Sequence, residues 1–313
     1  MKVQLLKAII MAIVILTTLS CKKTQTSQNS WVSYNSSNGL VNNAIHAIAI
    51  DAQGNKWFGT NGGVSEFNGT NWSSYTKTNG LVSNTVFTIA IDAQNKKWFG
   101  TDSGVSEFDG TNWTSFTTSN GLVNNWVSSI AVDAQNNKWF GTYAGLSEYD
   151  GTNWTTYLSG KIITSIAVDA QGNKWVGTYG GGVMKFDGTN WTTYTRNNGL
   201  SCDSIQTIAI ETQGNKWFGT FGGGLSKFDG TQWSTYIIPH FSGSDIVWSI
   251  AIDSQGNKWV GANVPGALKF DGTNWTSYST TGLDISEVYA IAIDAQGNKW
   301  FGTNGNGVYE MLE

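Results

Sequence analysis

The residues of this chain whose types could do chemistry recur together. A carboxylate stands six positions before a tryptophan, with a lysine between them, at Asp51, Asp92, Asp133, Asp169, Glu211, Asp253 and Asp294. Seven acids at equivalent positions beside seven lysines resemble a catalytic or metal-binding ring. Each acid, however, ends an apolar run and opens a turn of the AQGN type, where a carboxylate accepts backbone N–H bonds. Turn capping is therefore the expected role. Histidine occurs only at His46 and His240, and neither HExxH nor CxxC spacing is present. There is no GxSxG elbow or Gly-rich phosphate loop leading into a helix. No metal site, no cofactor and no catalytic residue is expected.

The elements that must position these residues follow from the repeat. GNKWFGT at Gly54 to Thr60 returns six more times, and its tryptophans (Trp57, Trp98, Trp139, Trp175, Trp217, Trp259, Trp300) are spaced by 41, 41, 36, 42, 42 and 41 residues. A period of this size marks units that bury their apolar faces only by stacking on neighbours. Within a unit, Ala44 to Asp51 is apolar on both faces and predicts a fully buried inner strand. The turn AQGN, the strand KWFGT, the strand Gly63 to Phe67, the turn NGTN and the strand Trp72 to Tyr75 follow. Four antiparallel strands per unit and seven units predict an all-β, seven-bladed β-propeller over residues 31–313. The seventh unit has no final WxxY strand. Trp31 to Tyr34 supplies it from the other end, so the N-terminal strand should join the last blade and close the ring. The repeated tryptophans should fill the space between blades, and each lysine should lay its stem on a ring with its ammonium in water.

Composition limits partners. The 313 residues hold one arginine, Arg196, and the net charge is −4, so the Lys/Arg stripe that a phosphate backbone requires is missing and no nucleic acid is expected. Lys2 and Lys7 flank the short apolar run Ala8 to Leu16, the layout of a signal peptide over residues 1–20. The sequence Thr18-Leu19-Ser20-Cys21 resembles a bacterial lipoprotein cleavage box. That resemblance implies lipidation at Cys21 and a membrane anchor in the cell envelope; the polar run Lys22 to Ser30 makes 21–30 a flexible tether, and Lys22 in place of an aspartate after Cys21 points towards the outer membrane. With Cys21 lipidated, Cys202 has no disulfide partner. A monomer is expected.

The stretches GLVNN, IAIDAQGNKWFGT and GVSEF, in register seven times, resemble the two-component regulator propeller repeat, which occurs in extracytoplasmic sensor domains and in free-standing lipoproteins. The resemblance implies a ligand-sensing or ligand-binding role. A turn of the DxxGxxWFT type is also similar to the virginiamycin B lyase family, whose chemistry uses histidine, acids and Mg2+ on the top face of the propeller. His46 or His240 would have to serve there.

A specific site in a repeat protein lies where the units differ. Five residues before each turn acid stand His46, Phe87, Ser128, Thr164, Gln206, Trp248 and Tyr289, expected to rim the central channel at its top. After the WFGT motif, Tyr143, Tyr179 and Phe221 place aromatics on three successive blades. Asp203, Asp245, Asp284 and Glu287 fall in top-face loops, and Pro239, His240 and Pro265 break the pattern near blade six. Together Tyr143, Tyr179, Phe221, Trp248, Tyr289, His46, Phe87, Asp284 and Glu287 form the expected ligand-binding set, suited to a glycan, a peptide or a partner protein. The expected function is a non-enzymatic envelope lipoprotein that binds a ligand on this face. The alternatives are a lyase or hydrolase acting there and an envelope scaffold without a small ligand. A chain lacking residues 31 to 35 should melt many degrees lower, and an unchanged melting curve would remove the proposed closure.

Overall fold

The computed structural model describes residues 30–239, 246–263, 267–278 and 287–313. The signal peptide, Cys21 and the tether before residue 30 lie outside the described residues. So do His240, Asp245, Pro265 and Asp284.

In the first repeat the strands run Ile45–Ile50, Lys56–Thr60, Gly63–Phe67 and Trp72–Tyr75. They pair in sequence order, with Ala49 opposite Trp57, Trp57 opposite Glu66 and Phe67 opposite Trp72. Among the described residues there are seven such four-stranded antiparallel sheets. Six are built from consecutive strands. The seventh takes Val288–Ile293, Lys299–Thr303 and Val308–Met311 from the C-terminal end and Trp31–Tyr34 from the N-terminal end, with Trp31 opposite Met311 and Tyr34 opposite Val308. The ring is closed as the missing strand predicts, and Tyr34 Oη adds a hydrogen bond of 3.0 Å to Glu310.

The core lies between the blades. Trp57 of the first blade packs with Val86, Phe99 and Phe108 of the second, and Trp300 of the last packs with Ile45 and Phe58 of the first. The glycine of WFGT permits this approach. A Cβ on Gly59 would stand 2.9 Å from Val86 Cγ1, and one on Gly302 would stand 2.5 Å from Ile45 Cγ2, closer than non-bonded carbons approach.

The turn acids cap their turns and do more. Asp51 Oδ1 accepts the backbone N–H groups of Gln53 and Asn55, at 3.1 and 2.9 Å, and Oδ2 accepts the Trp57 indole N–H at 3.2 Å. The same indole-to-acid bond is present in all seven blades.

The lysines depart from expectation. Lys97 does not carry its ammonium into water: it is buried, 3.3 Å from Asp51 of the preceding blade and 5.0 Å from the Trp57 ring centroid. Lys138, Lys174, Lys216 and Lys258 repeat this placement one blade on, and Lys56 reaches Asp294 and Trp300 across the closure. The reason is position: each KWFGT strand lies against the previous blade, where an acid already sits over a tryptophan. Lys299 instead pairs with Glu313 at 2.5 Å while remaining over Trp259.

The inner strands also differ from expectation. Ile45–Ile50 is buried at Ile45 and half-buried along the rest, because one side of every inner strand faces the central channel rather than another sheet.

Burial opposes ionisation of Asp51, Asp133, Asp169, Glu211 and Asp253. The hydrogen bonds from backbone, asparagine and indole, with the lysine where it is paired, outweigh it and hold all five below the usual carboxylate range. A group with its folded-state pKa depressed stabilises the fold above its unfolded pKa and loses that contribution as pH falls through the folded value. Calorimetry should therefore show a melting temperature that is level from about pH 7 to 5 and falls steeply below about pH 4. A level profile down to pH 2 would contradict this account of the ring.

Candidate functional site

Each inner strand carries the same irregularity near its start. In the first blade Ile45 pairs with Thr60 and Ala47 with Gly59, which leaves His46 as an extra residue between consecutive partners. The shift recurs at Phe87, Ser128, Thr164, Gln206, Trp248 and Tyr289. A β-bulge re-aims the side chain of its unpaired residue. Seven bulges at one level aim seven side chains at one place.

That place is a cavity of about 250 Å³ lined by all seven bulge residues together with Trp126 and Tyr143. The rings form a continuous arc. Tyr143 stacks on Trp126 at 5.0 Å between centroids, and Trp126 stacks on Phe87 at 5.1 Å. Phe87 meets His46 edge-on at 5.7 Å, His46 stacks with Tyr289 at 6.0 Å, and Tyr289 contacts Trp248 at 4.7 Å. Ser128, Thr164 and Gln206 complete the circle. Ser128 Oγ donates to the carbonyl of Ile163 and Thr164 Oγ1 to that of Ile205, at 2.5 and 2.6 Å. Their protons are thus committed, and only oxygen lone pairs remain for a guest.

Among the described residues no carboxylate, lysine or arginine lines the cavity. Burial pushes the His46 pKa below its ordinary value of 6.5, against the opposing hydrogen bond in which Nε2 donates to Asn61 Oδ1 at 2.8 Å. His46 is therefore neutral at pH 7. Burial, and then the nearby Glu287 charge, raise the Tyr289 pKa, so its hydroxyl keeps its proton. Among the described residues no group of three His, Cys, Asp or Glu is placed to hold a metal ion.

Of the expected set, His46, Phe87, Trp248, Tyr289 and Tyr143 come together here. Tyr179 and Phe221 do not line the cavity: they stand on the next two blades, 61% and 38% exposed. Glu287 is also outside the lining. Its carboxylate accepts a bond from Asn304 Nδ2 at 2.7 Å, and its φ is 50°. Asp203 is used locally, accepting the Arg196 backbone N–H. Asp284 falls outside the described residues.

Trp126 is the member that sequence reasoning missed. It stands two residues before its blade's bulge, where the other units carry Ala44, Thr85, Ile162, Ser204, Ile246 and Glu287. Disagreement among the units in that column was a readable signal. The link from Trp126 O to the Tyr143 N–H, which sets the two rings side by side, was not readable.

Residues 39–62 match the family described as Two component regulator propeller, and the other units repeat that pattern in register. In fold the chain is similar to the extracellular domain of a putative hybrid two component system from B. thetaiotaomicron. That pair is 20% identical, covers 90% of this chain and 42% of the other, and has a TM-score of 0.78. It is also similar to virginiamycin B lyase from Staphylococcus aureus, at 13% identity, 91% and 100% coverage and a TM-score of 0.75. A third likeness is to PorZ, a surface component of the type-IX secretion system of Porphyromonas gingivalis, at 17% identity, 90% and 48% coverage and a TM-score of 0.74. At these identities the likeness is one of fold, and the chain spans about two fifths of the hybrid-system domain. No curated protein matches the chain significantly.

NMR titration should place the His46 midpoint below 6.5. In Asn61→Leu, which removes the opposing hydrogen bond while keeping bulk, the midpoint should move lower still; a rise would show that burial is not what depresses it.

Proposed function

We propose that this chain, built from two-component regulator propeller repeats, is a non-enzymatic, sensor-type binding protein of the cell envelope whose top-face cavity takes an uncharged, ring-sized ligand, such as one residue of a neutral glycan. The observation that carries this reading is the convergence of seven bulge residues on one cavity with no charged side chain among its described lining residues. An ionic ligand would lose its hydration there without gaining a counter-ion. A sugar presents apolar C–H surface to the rings and hydroxyl groups to Ser128, Thr164, Gln206 and the tyrosine hydroxyls. About 250 Å³ lies just below the roughly 300 Å³ at which drug-sized pockets begin, which suits a single ring better than a whole oligosaccharide.

Lyase chemistry has less support. His46 is held by the Asn61 amide oxygen, with no acidic partner among the described lining residues. A partner-protein reading draws on a different feature, the exposed apolar band of Trp126, Tyr143, Ile162, Tyr179 and Phe221 over blades three to five. Envelope anchoring rests on Cys21, and fatty-acid labelling that disappears in Cys21→Ala would support it.

A thermal-shift screen with maltotriose, cellotriose, xylotriose and chitotriose tests the ligand class. A ligand at 100 times its dissociation constant adds about 2.7 kcal/mol of stability. Phe87→Ala, in the cavity and outside the exposed band, should lower affinity at least tenfold while Tyr179→Ala leaves it unchanged. The opposite ranking would move the site to the exposed band.

A further inference from the structure

We propose that Trp248 is the specificity-determining donor of this cavity, reading a hydrogen-bond acceptor on the ligand through its indole N–H; the proposal rests on the reading of the cavity as a neutral-ligand site. The repeat tryptophans provide the contrast. All seven give their N–H to a turn acid, at 2.9 to 3.2 Å. Trp248 belongs to no such motif. It is a bulge residue, and its Nε1 is fully buried yet has no acceptor among the described residues.

A buried donor without an acceptor destabilises the fold that contains it, and replacing it by an apolar group of similar shape removes that penalty. Phenylalanine occupies the equivalent bulge at Phe87, so this fold accommodates a ring without a donor at the same position. What the indole adds at Trp248 is the N–H. Among the described residues the one ring it meets is Tyr289, 4.7 Å away and tilted by 51°. Since the N–H has no accessible surface, a ligand atom meets it after a small turn of the indole towards the cavity.

The donor complements the rest of the wall. Ser128 and Thr164 have spent their protons on backbone carbonyls and offer acceptors only. A ligand bound across the cavity is then read with a definite polarity: one of its hydroxyl protons goes to the serine and threonine side, and an ether or hydroxyl oxygen faces Trp248. Vicinal hydroxyls on a pyranose satisfy both. A hydrocarbon ring of the same size satisfies neither and leaves the oxygens and the indole unpaired.

Trp248→Phe separates this role from a packing role. The variant should melt at or above the wild-type temperature, whereas Trp217→Phe, which removes one of the donors that hold the buried Glu211, should melt lower. By isothermal titration with maltotriose, cellotriose, xylotriose and chitotriose, each trisaccharide that binds the wild-type protein should bind Trp248→Phe about tenfold more weakly, the size of one neutral hydrogen bond. In the wild-type protein the Trp248 indole N–H resonance should shift on saturation. Undiminished binding by Trp248→Phe overturns the donor role alone, and so does a fall in its melting temperature equal to that of Trp217→Phe, since that would reveal an acceptor already in place. Failure of all four trisaccharides to bind the wild-type protein overturns the site reading and this proposal with it.

Discussion

Six of the seven junctions between blades turn on one arrangement, a carboxylate that holds its own blade's turn and indole while accepting the lysine of the next blade; at the seventh, Lys299 pairs with Glu313 and leaves Asp253 to its turn and indole. Asp51 bonds Gln53, Asn55 and Trp57 within its blade and receives Lys97 from the neighbour. Removing a charge from water is unfavourable unless it is paired and hydrogen-bonded. Here the pairing spans two sheets, so neither lysine nor acid is satisfied unless the blades are docked in register. The tryptophan supplies apolar area and the Lys–acid pair supplies registry. Their repetition around the ring is why seven separately weak four-stranded units form one body.

The same arrangement explains the division of labour along the channel. The ring of acids, lysines and tryptophans sits where the inner strands end. The bulges sit where the strands begin, with no part in the ladder, and their side chains are free to vary without disturbing the junctions. The seven bulge positions accordingly hold seven different residues, His46, Phe87, Ser128, Thr164, Gln206, Trp248 and Tyr289, while the strand residues behind them stay nearly constant. A constant scaffold and a variable rim are consequences of one strand geometry.

Much of this was legible in the sequence because repetition averages away local ambiguity. A single KWFGT says little, but seven in register establish blade count, strand order and closure. The bulge column was identifiable as a variable column, and its residues do gather in one cavity. Tyr143, Tyr179 and Phe221 show where sequence reasoning stops. They are equivalent by position, yet only Tyr143 has a Trp126 beside it to draw it into the cavity. The lysines show a second limit. Lys97 adjoins Trp98 in sequence, but its charge lies over Trp57, because antiparallel strands alternate faces and the partner blade fills one of them.

By itself the sequence determined the periodicity, the four strands of each unit and the strand that closes the ring, since those depend on patterns local to about 41 residues. It marked as well the columns where the units disagree. Only the tertiary structure decided which disagreements meet, that the inner strands are half open to a channel, and that the lysine beside each repeat tryptophan lies over the tryptophan of the blade before. These are properties of packing between units, and residues some 40 positions apart are brought into contact by the rotation from one blade to the next, which no single repeat encodes.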